Sequence, residues 1–214
     1  MRTRSAVALA FVLAAVIAAR TQEIEPITFD PTDGKWILLQ ARIDAHAPML
    51  TACALASACR AGPAMEQWHT LVGEAARRRG TARLAYVNAA VNRIVHWRSD
   101  HDNYGLDDYW AMPIETLMRG GDCEDFAILK FWILKTAGVD PAGLRLLAVV
   151  RGGGEAHMVL TATADDETWV LDDRGADLVP AALYPGQRLY ALGIGSAELY
   201  GTVTRIADLT VRAP

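Results

Sequence analysis

The sequence predicts an α+β fold, with helices in the first part of the chain and an antiparallel β-sheet in the second. Apolar residues recur at helical spacing in three segments before residue 138. After that residue the pattern changes to short β-type runs separated by turns rich in glycine and aspartate. With 214 residues, of which 52% are hydrophobic and 21% charged, the chain can bury the core of one domain.

Helical spacing is clearest in the segment that contains Met65, Trp68 and Leu71 and that stops at Gly80. The predicted helices cover residues 65–79, 84–97 and 122–138. Pro141 follows the last of them, as expected where a helix has ended. The intervening segment 101–121, rich in Asp, Gly and Tyr, is predicted to be a loop.

The predicted strands are short and rich in valine, leucine and threonine, which is typical of a sheet with one buried face. They cover residues 144–150, 157–163, 168–171, 189–192 and 199–206. A Gly-Gly-Gly run and an Asp-Asp-Glu run separate the first three strands. Connections this short join antiparallel neighbours.

The N-terminus has the pattern of a signal peptide. Arg2 and Arg4 precede an apolar run over residues 6–19, which is too short for a comfortable membrane span. We therefore expect export to the periplasm; the alternative is an uncleaved anchor. Residues 20–62, which mix Pro, Asp and Gly with short apolar runs, are predicted to be an irregular arm, and residues 63–214 the folded domain.

The charge pattern does not favour a nucleic-acid partner. The net charge is −4, so no general attraction to a polyanion is expected. The one basic cluster, Arg77-Arg78-Arg79, falls in the last turn of a predicted helix, where cations stabilise the helix dipole.

Three cysteines remain after the leader. Cys53 and Cys59 lie close together, whereas Cys123 stands alone. In an exported protein this pattern indicates a local Cys53–Cys59 disulfide and a free reactive thiol. The alternative is that all three thiols are free.

Cys123 lies where the loop becomes a helix, in the sequence Gly-Gly-Asp-Cys-Glu-Asp of residues 120–125. The helix dipole favours a thiolate at this position, and the free N–H groups of the first turn can contribute to an oxyanion hole. The preceding glycines permit close approach of a substrate backbone. Cys123 is therefore the candidate nucleophile, and Gly121 a candidate for oxyanion or substrate contact.

His157 and Asp172 are the candidate base and orienter of this nucleophile. His157 begins one apolar strand and Asp172 follows the next. If these strands pair antiparallel, the two side chains come together, giving the thiol, base and orienter arrangement of a cysteine hydrolase. His101 is the competing candidate for the base.

Local sequences around these residues form one pattern, with Asp-Tyr-Trp-Ala-Met-Pro-Ile-Glu at 108–115 and Gly-Asp-Cys-Glu-Asp at 121–125. The same pattern includes residues 92–100, His-Met-Val-Leu at 157–160 and Leu-Asp-Asp at 171–173. Together they resemble the bacterial transglutaminase-like cysteine proteinases, which have a papain-like transglutaminase core, over roughly residues 60–190. Met158, Asp173 and the tail after Tyr184 depart from the common pattern of that family.

The resemblance implies a periplasmic Cys-His-Asp endopeptidase that cleaves a large cell-surface adhesin and so controls surface attachment and biofilm. It implies calcium dependence and sequestration by an inner-membrane receptor that senses cyclic di-GMP. It also makes Trp110 a candidate for oxyanion or substrate contact. The alternatives are a transglutaminase-like acyltransferase, a cell-wall peptide amidase and a non-catalytic binding module, the last of which the complete triad disfavours.

Calcium also has a physical rationale in the residues themselves. Asp122, Glu124 and Asp125 surround a sulfur that must be anionic to react, and their field opposes its ionisation. A hard cation held by Asp122 and Glu124, with Asp107 or Asp108, would offset that field. The alternative is that Asp122 caps the helix and the other two carboxylates stabilise its dipole.

Overall fold

Helices come before a single antiparallel sheet along the chain, which confirms the predicted α+β class. A computed structural model describes Thr32, residues 34–55 and residues 62–200, although not the side chains of residues 49–55. The helices are α1 (Lys35–Leu55), α2 (Pro63–Ala76), α3 (Gly80–Ile94), α4 (Asp100–Tyr104), α5 (Pro113–Arg119) and α6 (Cys123–Thr136).

The sheet has six strands in the spatial order β4-β3-β2-β1-β5-β6, with every neighbouring pair antiparallel. The strands are β1 (Leu144–Val150), β2 (Ala156–Ala164), β3 (Glu167–Leu171), β4 (Val179–Pro180), β5 (Gln187–Gly193) and β6 (Ser196–Leu199). Short 3₁₀ turns at Pro141–Gly143 and Ala181–Leu183 precede β1 and follow β4.

Helix α6 is the centre of the core, because it is buried on all sides rather than along one stripe. Every residue from Asp125 to Leu134 is buried. The helix packs against β2 and β1 on one side and against α2, α3 and α5 on the other. Residues at the start of α6 are therefore held rigidly against the middle of the sheet.

The segment predicted as an irregular arm instead contains the 21-residue helix α1. Trp36, Leu39 and Ile43 recur at helical spacing and are buried in the main core. Pro48 lies inside the helix and removes one backbone donor there. Asp44, His46 and Pro48 stand at exposed positions of this helix, so burial of its one apolar stripe decides the structure.

The loop predicted between the second and third helices contains two short helices, α4 and α5. Ser99 accepts the backbone N–H of Asp102 and so starts α4, and Pro113 occupies the first turn of α5. These one- to two-turn helices are too short to produce a periodic signal in the sequence.

Several predictions concern residues that the structure does not describe. The leader, most of the 20–34 segment, Cys59 and residues 201–206 of the predicted 199–206 strand lie outside the described residues, as does the side chain of Cys53. The predicted disulfide is therefore still a prediction. Among the helices of the described ranges, none combines the length and the apolar character that crossing a membrane requires.

Candidate active site

Cys123 is the first residue of α6 and is half-buried. Gly120, just before it, has a φ of 82°, in the left-handed region where a side chain is unfavourable. A Cβ atom on Gly120 would also lie 2.3 Å from the carbonyl oxygen of His96. The two glycines before the nucleophile are therefore required by backbone packing at the entry to α6.

The structure places the two proposed oxyanion or substrate residues in structural roles. The Gly121 N–H donates to the carbonyl of His96 at 3.2 Å, and its carbonyl accepts the N–H of Arg98 at 2.9 Å. Trp110 is buried in the main core, with its ring edge-on to Trp36. The Gly121 N–H is thus already used, which leaves the free N–H groups of the first turn of α6 as the candidate oxyanion donors.

His157 and Asp172 are brought together by the pairing of β2 with β3. Leu160 lies opposite Leu171 in this pair, so the start of β2 and the residues after β3 meet at the same end of the sheet. His157 Nε2 lies 2.9 Å from Asp172 Oδ1, and the two residues are 3% and 8% exposed. This is the predicted contact between base and orienter. His101, the competing base, is exposed on α4.

The two ring nitrogens of His157 have different surroundings. Nε2 faces Asp172, whereas Nδ1 is buried and has no hydrogen-bond partner within the described part of the chain. The backbone N–H of the next residue, Met158, donates toward the Cys123 sulfur, which favours the thiolate. With Nε2 in contact with Asp172, Nδ1 is the ring nitrogen left for another partner.

Asp172 is held by more partners than the sequence indicates. Its Oδ2 accepts the Tyr184 hydroxyl at 2.6 Å and Arg151 Nη1 at 3.2 Å, and its Oδ1 also accepts the Arg174 N–H at 3.1 Å. Burial opposes ionisation, but hydrogen bonds from His157 and Tyr184 outweigh it, so the pKa of Asp172 lies well below its ordinary value. Neither Arg151 nor Tyr184 lies near a motif, so no local pattern identifies them.

Asp173 is a second carboxylate beside the base. Its Oδ1 lies 3.4 Å from His157 Nε2, farther than Asp172 and with no hydrogen-bond partner among the described residues. Burial, together with the hydrogen bond to Asp172, raises the pKa of Asp173 to about 6. Of the two neighbouring aspartates, Asp172 has the position and the charge of an orienter.

Carboxylates around Cys123 oppose formation of its thiolate. The thiol lies 3.2 Å from Glu124 Oε2, to which it donates. Burial, followed by the negative charges of Glu124 and Asp122, raises the pKa of Cys123 well above its ordinary value. The carboxylate field predicted from the sequence therefore adds to burial in opposing ionisation of the thiol.

A cluster of three carboxylates, from Asp100, Asp122 and Asp125, lies at the start of α6. One oxygen from each lies within 4.8 Å of the others, and each residue has a buried oxygen without a hydrogen-bond partner in the described ranges. Burial and mutual repulsion raise the pKa of Asp125 well above its ordinary value and that of Asp100 to about 6. Buried, unpaired carboxylate oxygens this close together fit a hard divalent cation.

A second cluster joins Asp100 and Glu124 to Asp108, whose carboxylate also pairs with Lys35. Three of the four predicted metal ligands, Asp122, Glu124 and Asp108, thus lie in these clusters. Asp107 is exposed and belongs to none of the clusters that the described residues form. Asp100, which the sequence analysis did not propose as a ligand, is common to both, because the first turn of α4 directs it toward α6.

The helix α6 N-cap, Asp122, makes no side-chain capping hydrogen bond within the described structure. The alternative role of Asp122, capping α6, is thus not the one that the geometry favours. Its pKa is raised by burial, which a capping carboxylate at an exposed helix start would not experience.

Comparison with known proteins agrees with this geometry. Residues 53–183 match the family described as bacterial transglutaminase-like cysteine proteinase BTLCP. The fold is similar to calcium-bound LapG of Legionella pneumophila, with a TM-score of 0.58 and 27% identity over 71% of this chain and 86% of LapG. EGTA-treated LapG matches with a TM-score of 0.57 and 26% identity over 72% of this chain and 84% of LapG. No curated protein sequence matches the chain.

Proposed function

We propose that this chain, which belongs to the bacterial transglutaminase-like cysteine proteinases and is a cysteine protease, is a periplasmic, calcium-dependent endopeptidase that releases a large adhesin from the cell surface. The observation that carries the proposal is the carboxylate cluster directly beside a nucleophile whose base and orienter are in contact. The likeness to LapG, of which a calcium-bound form is known, supports calcium, and the leader pattern supports export.

The reaction follows from the roles of the three side chains. His157 Nδ1 takes the thiol proton while the Cys123 sulfur attacks the carbonyl carbon of the peptide bond. His157 then gives this proton to the leaving amine, and a thioester is left on Cys123. A water molecule, losing a proton to His157, cleaves the thioester, which releases the carboxylic acid and restores the thiol. Asp172 stabilises the imidazolium form of His157 at each stage.

Calcium is supported by the same residues that oppose the thiolate. The members of the two clusters, Asp100, Asp122, Asp125, Glu124 and Asp108, would hold the ion through carboxylate oxygens. When bound, the ion supplies positive charge that offsets the repulsion among these carboxylates and their field at Cys123. Lys35 pairs with Asp108, and the backbone N–H of Ala111 donates to Asp125 at 2.8 Å. These two contacts hold the segment 108–111 in place beside the carboxylates.

The calcium proposal is tested by thermal unfolding of the full chain with EGTA, with calcium and with magnesium. Calcium at a hundredfold excess over its Kd should add about 2.7 kcal/mol of stability, and magnesium much less. Asp122→Asn should lose this gain, whereas Asp107→Asn, a matched change at an exposed aspartate of the same region, should keep it. Equal calcium responses in the two variants would overturn the proposed ligand set.

The substrate proposal is tested on cells. Proteins released from the parent strain, a deletion strain and a Cys123→Ala strain are compared by mass spectrometry. We expect a large surface protein to be released by the parent alone, with a new terminus that marks the cleaved bond. Identical released proteins in all three strains would contradict an adhesin substrate, and an amine joined to the new carboxyl terminus would indicate acyl transfer instead.

Regulation by sequestration belongs to the same proposal. An inner-membrane receptor that binds cyclic di-GMP would hold the protease away from its substrate when that nucleotide is abundant. Release of the surface protein should therefore fall in cells with raised cyclic di-GMP. Release that does not change with the nucleotide would remove the receptor from the proposed function.

A further inference from the structure

Lys130 is a completely buried lysine beneath the active site. It lies on α6, two turns after Cys123 and on the same face of the helix, and its exposed fraction is 0%. A lysine ammonium has three donors, and Nζ makes one hydrogen bond in the described structure, to Asn88 Oδ1 at 2.8 Å. Burial of an ammonium is unfavourable unless partners stabilise it, so the neighbours of Lys130 indicate its role.

The contact between Lys130 and Asn88 orients the Asn88 amide. Lysine can only donate, so the Asn88 oxygen must face it and the amide NH₂ must face away. That NH₂ donates to the carbonyls of Gly175 and Ala176, at 2.9 and 3.1 Å, in the turn that follows Asp172. Lys130 is thereby connected to the turn through one fixed side chain.

A second asparagine on α3 holds the start of the same turn. Asn92 Nδ2 donates to the carbonyl of Asp172 itself at 2.7 Å and to that of Gly175 at 2.8 Å. The side chains of Asn88 and Asn92 on α3 therefore hold the backbone at and after Asp172, and Lys130 holds Asn88. No hydrogen bond joins Lys130, Asn88 or Asn92 to Cys123 in the described structure.

Lys130 is also close enough to Asp172 and Asp173 for their charges to act on it. Its ammonium is attracted by Asp173 and by Asp172, although burial lowers its pKa to about 7. Asp173 Oδ1 is buried and without a hydrogen-bond partner among the described residues, and it lies on the His157 side of the turn. Arg151 reaches Asp172 from the end of β1, with its Nη1 3.2 Å from Oδ2.

We propose that Lys130 is a positioning residue of the protease: it fixes the turn that carries Asp172 and balances the negative charge of Asp172 and Asp173 beneath His157. The proposal rests on the roles given above to Cys123, His157 and Asp172. It is tested by a measurement that needs no substrate, so a wrong substrate assignment would not affect its outcome.

The test is an imidazole ¹⁵N–¹H spectrum of the full chain, in which the proton on His157 Nε2 reports its hydrogen bond to Asp172. In Lys130→Met this proton should shift and exchange faster with water, because the turn loosens. Lys135 is a more exposed lysine of the same helix, and its ammonium lies over the ring of Trp132. Lys135→Met should leave the His157 signal unchanged. A wild-type His157 signal in folded Lys130→Met would overturn the proposal.

The charge-balancing role has its own variant. Lys130→Met with Asp173→Asn should recover much of the wild-type His157 signal, since removal of one carboxylate removes the need for the cation. An unrecovered signal would overturn this role. Where Lys130→Met does not fold, the Nζ signal of Lys130 is compared in the wild type and in Asp173→Asn. It should titrate at lower pH in the variant, and identical titrations would contradict the proposal.

Discussion

At the scale of single residues, two neighbouring aspartates differ in pKa because they differ in hydrogen bonds. Asp172 accepts hydrogen bonds from His157, Tyr184 and Arg151, which together hold its ionised form. Asp173 shares the burial without these donors, and the hydrogen bond between the two carboxyls favours a proton on Asp173. Two residues of the same type therefore differ in role, because hydrogen-bond donors near each carboxylate decide which one orients the base.

The first prediction concerns the three catalytic side chains. Cys123→Ala and His157→Ala should each abolish cleavage of the proposed surface-protein substrate, because removal of either member costs nearly as much as removal of both. Asp172→Asn should lower the rate by roughly 10⁴-fold, because it favours the wrong tautomer of His157. Thermal unfolding of each variant is the control, and full activity of Asp172→Asn with loss in Asp173→Asn would reverse the assignment.

The second prediction is a pH dependence of stability that originates at Asp173. Its folded-state pKa of about 6 lies above the ordinary value, so its contribution to stability is greatest at low pH and falls as pH rises toward 6. Asp173→Asn cannot lose a proton, so it should be more stable than the wild type at pH 8, by on the order of 2 kcal/mol. The gain should shrink toward pH 4. A gain independent of pH, measured by denaturant unfolding, would contradict the assigned protonation.

At the scale of elements, the start of α6 combines the nucleophile, the carboxylate clusters and a backbone bridge to residues 96–98. Gly121 pairs with Trp97 in this bridge, and a Cβ atom on Gly121 would lie 2.2 Å from Asp125 Oδ2. The residue before the Asp122 cap must therefore be a glycine for Asp125 to stay in the carboxylate cluster. One glycine thus links the helix start to the proposed metal site.

The third prediction tests this packing. Gly121→Ala should destabilise the protein by roughly 1–3 kcal/mol and should weaken its response to calcium, because Asp125 must move. Gly73→Ala is the matched control: Gly73 lies inside α2 with no atom near the added Cβ, and the change should stabilise by about 0.5–1 kcal/mol. Denaturant unfolding with and without calcium measures both effects. An unchanged calcium response in Gly121→Ala would separate Asp125 from the metal site.

At the scale of the whole molecule, the core extends beyond the stretch that matches the family. The match begins at residue 53, yet α1 starts at Lys35 and contributes Trp36, Leu39 and Ile43 to the main core. Trp36 Nε1 also donates to the carbonyl of Gly193 at the end of β5, at 2.9 Å. Helix α1 therefore connects the helical layer to an outer strand of the sheet.

The fourth prediction follows from this contact. Trp36 is 4% exposed and its ring meets those of Trp110 and Phe131, so Trp36→Ala should lower the free energy of unfolding by roughly 3–5 kcal/mol. Ile37→Ala, at the next residue, which is 61% exposed, should have little effect. Equal losses in the two variants, measured by urea unfolding, would show that α1 does not dock on the core.

Sequence periodicity predicted the elements whose burial is one-sided or continuous. The limits of β1 agree with the predicted 144–150, and α6 begins beside the predicted Asp122, because these segments have local patterns that tertiary contacts reinforce. Helix α1, the short helices α4 and α5 and the two-residue strand β4 were not predicted. Their sequences have weak local preferences, and packing against distant residues decides their conformation.

The sequence by itself determined the α+β class and the nucleophile, base and orienter candidates, because each stands at the end of a periodic segment and belongs to a local motif. Only the tertiary structure decided that Asp100 joins the carboxylate clusters while Asp107 does not. It also decided that the Gly121 N–H is already bonded and that Lys130 supports the turn of Asp172 through Asn88. These relations join residues far apart in sequence, and neither periodicity nor motif spacing contains the direction in which a folded backbone points a side chain.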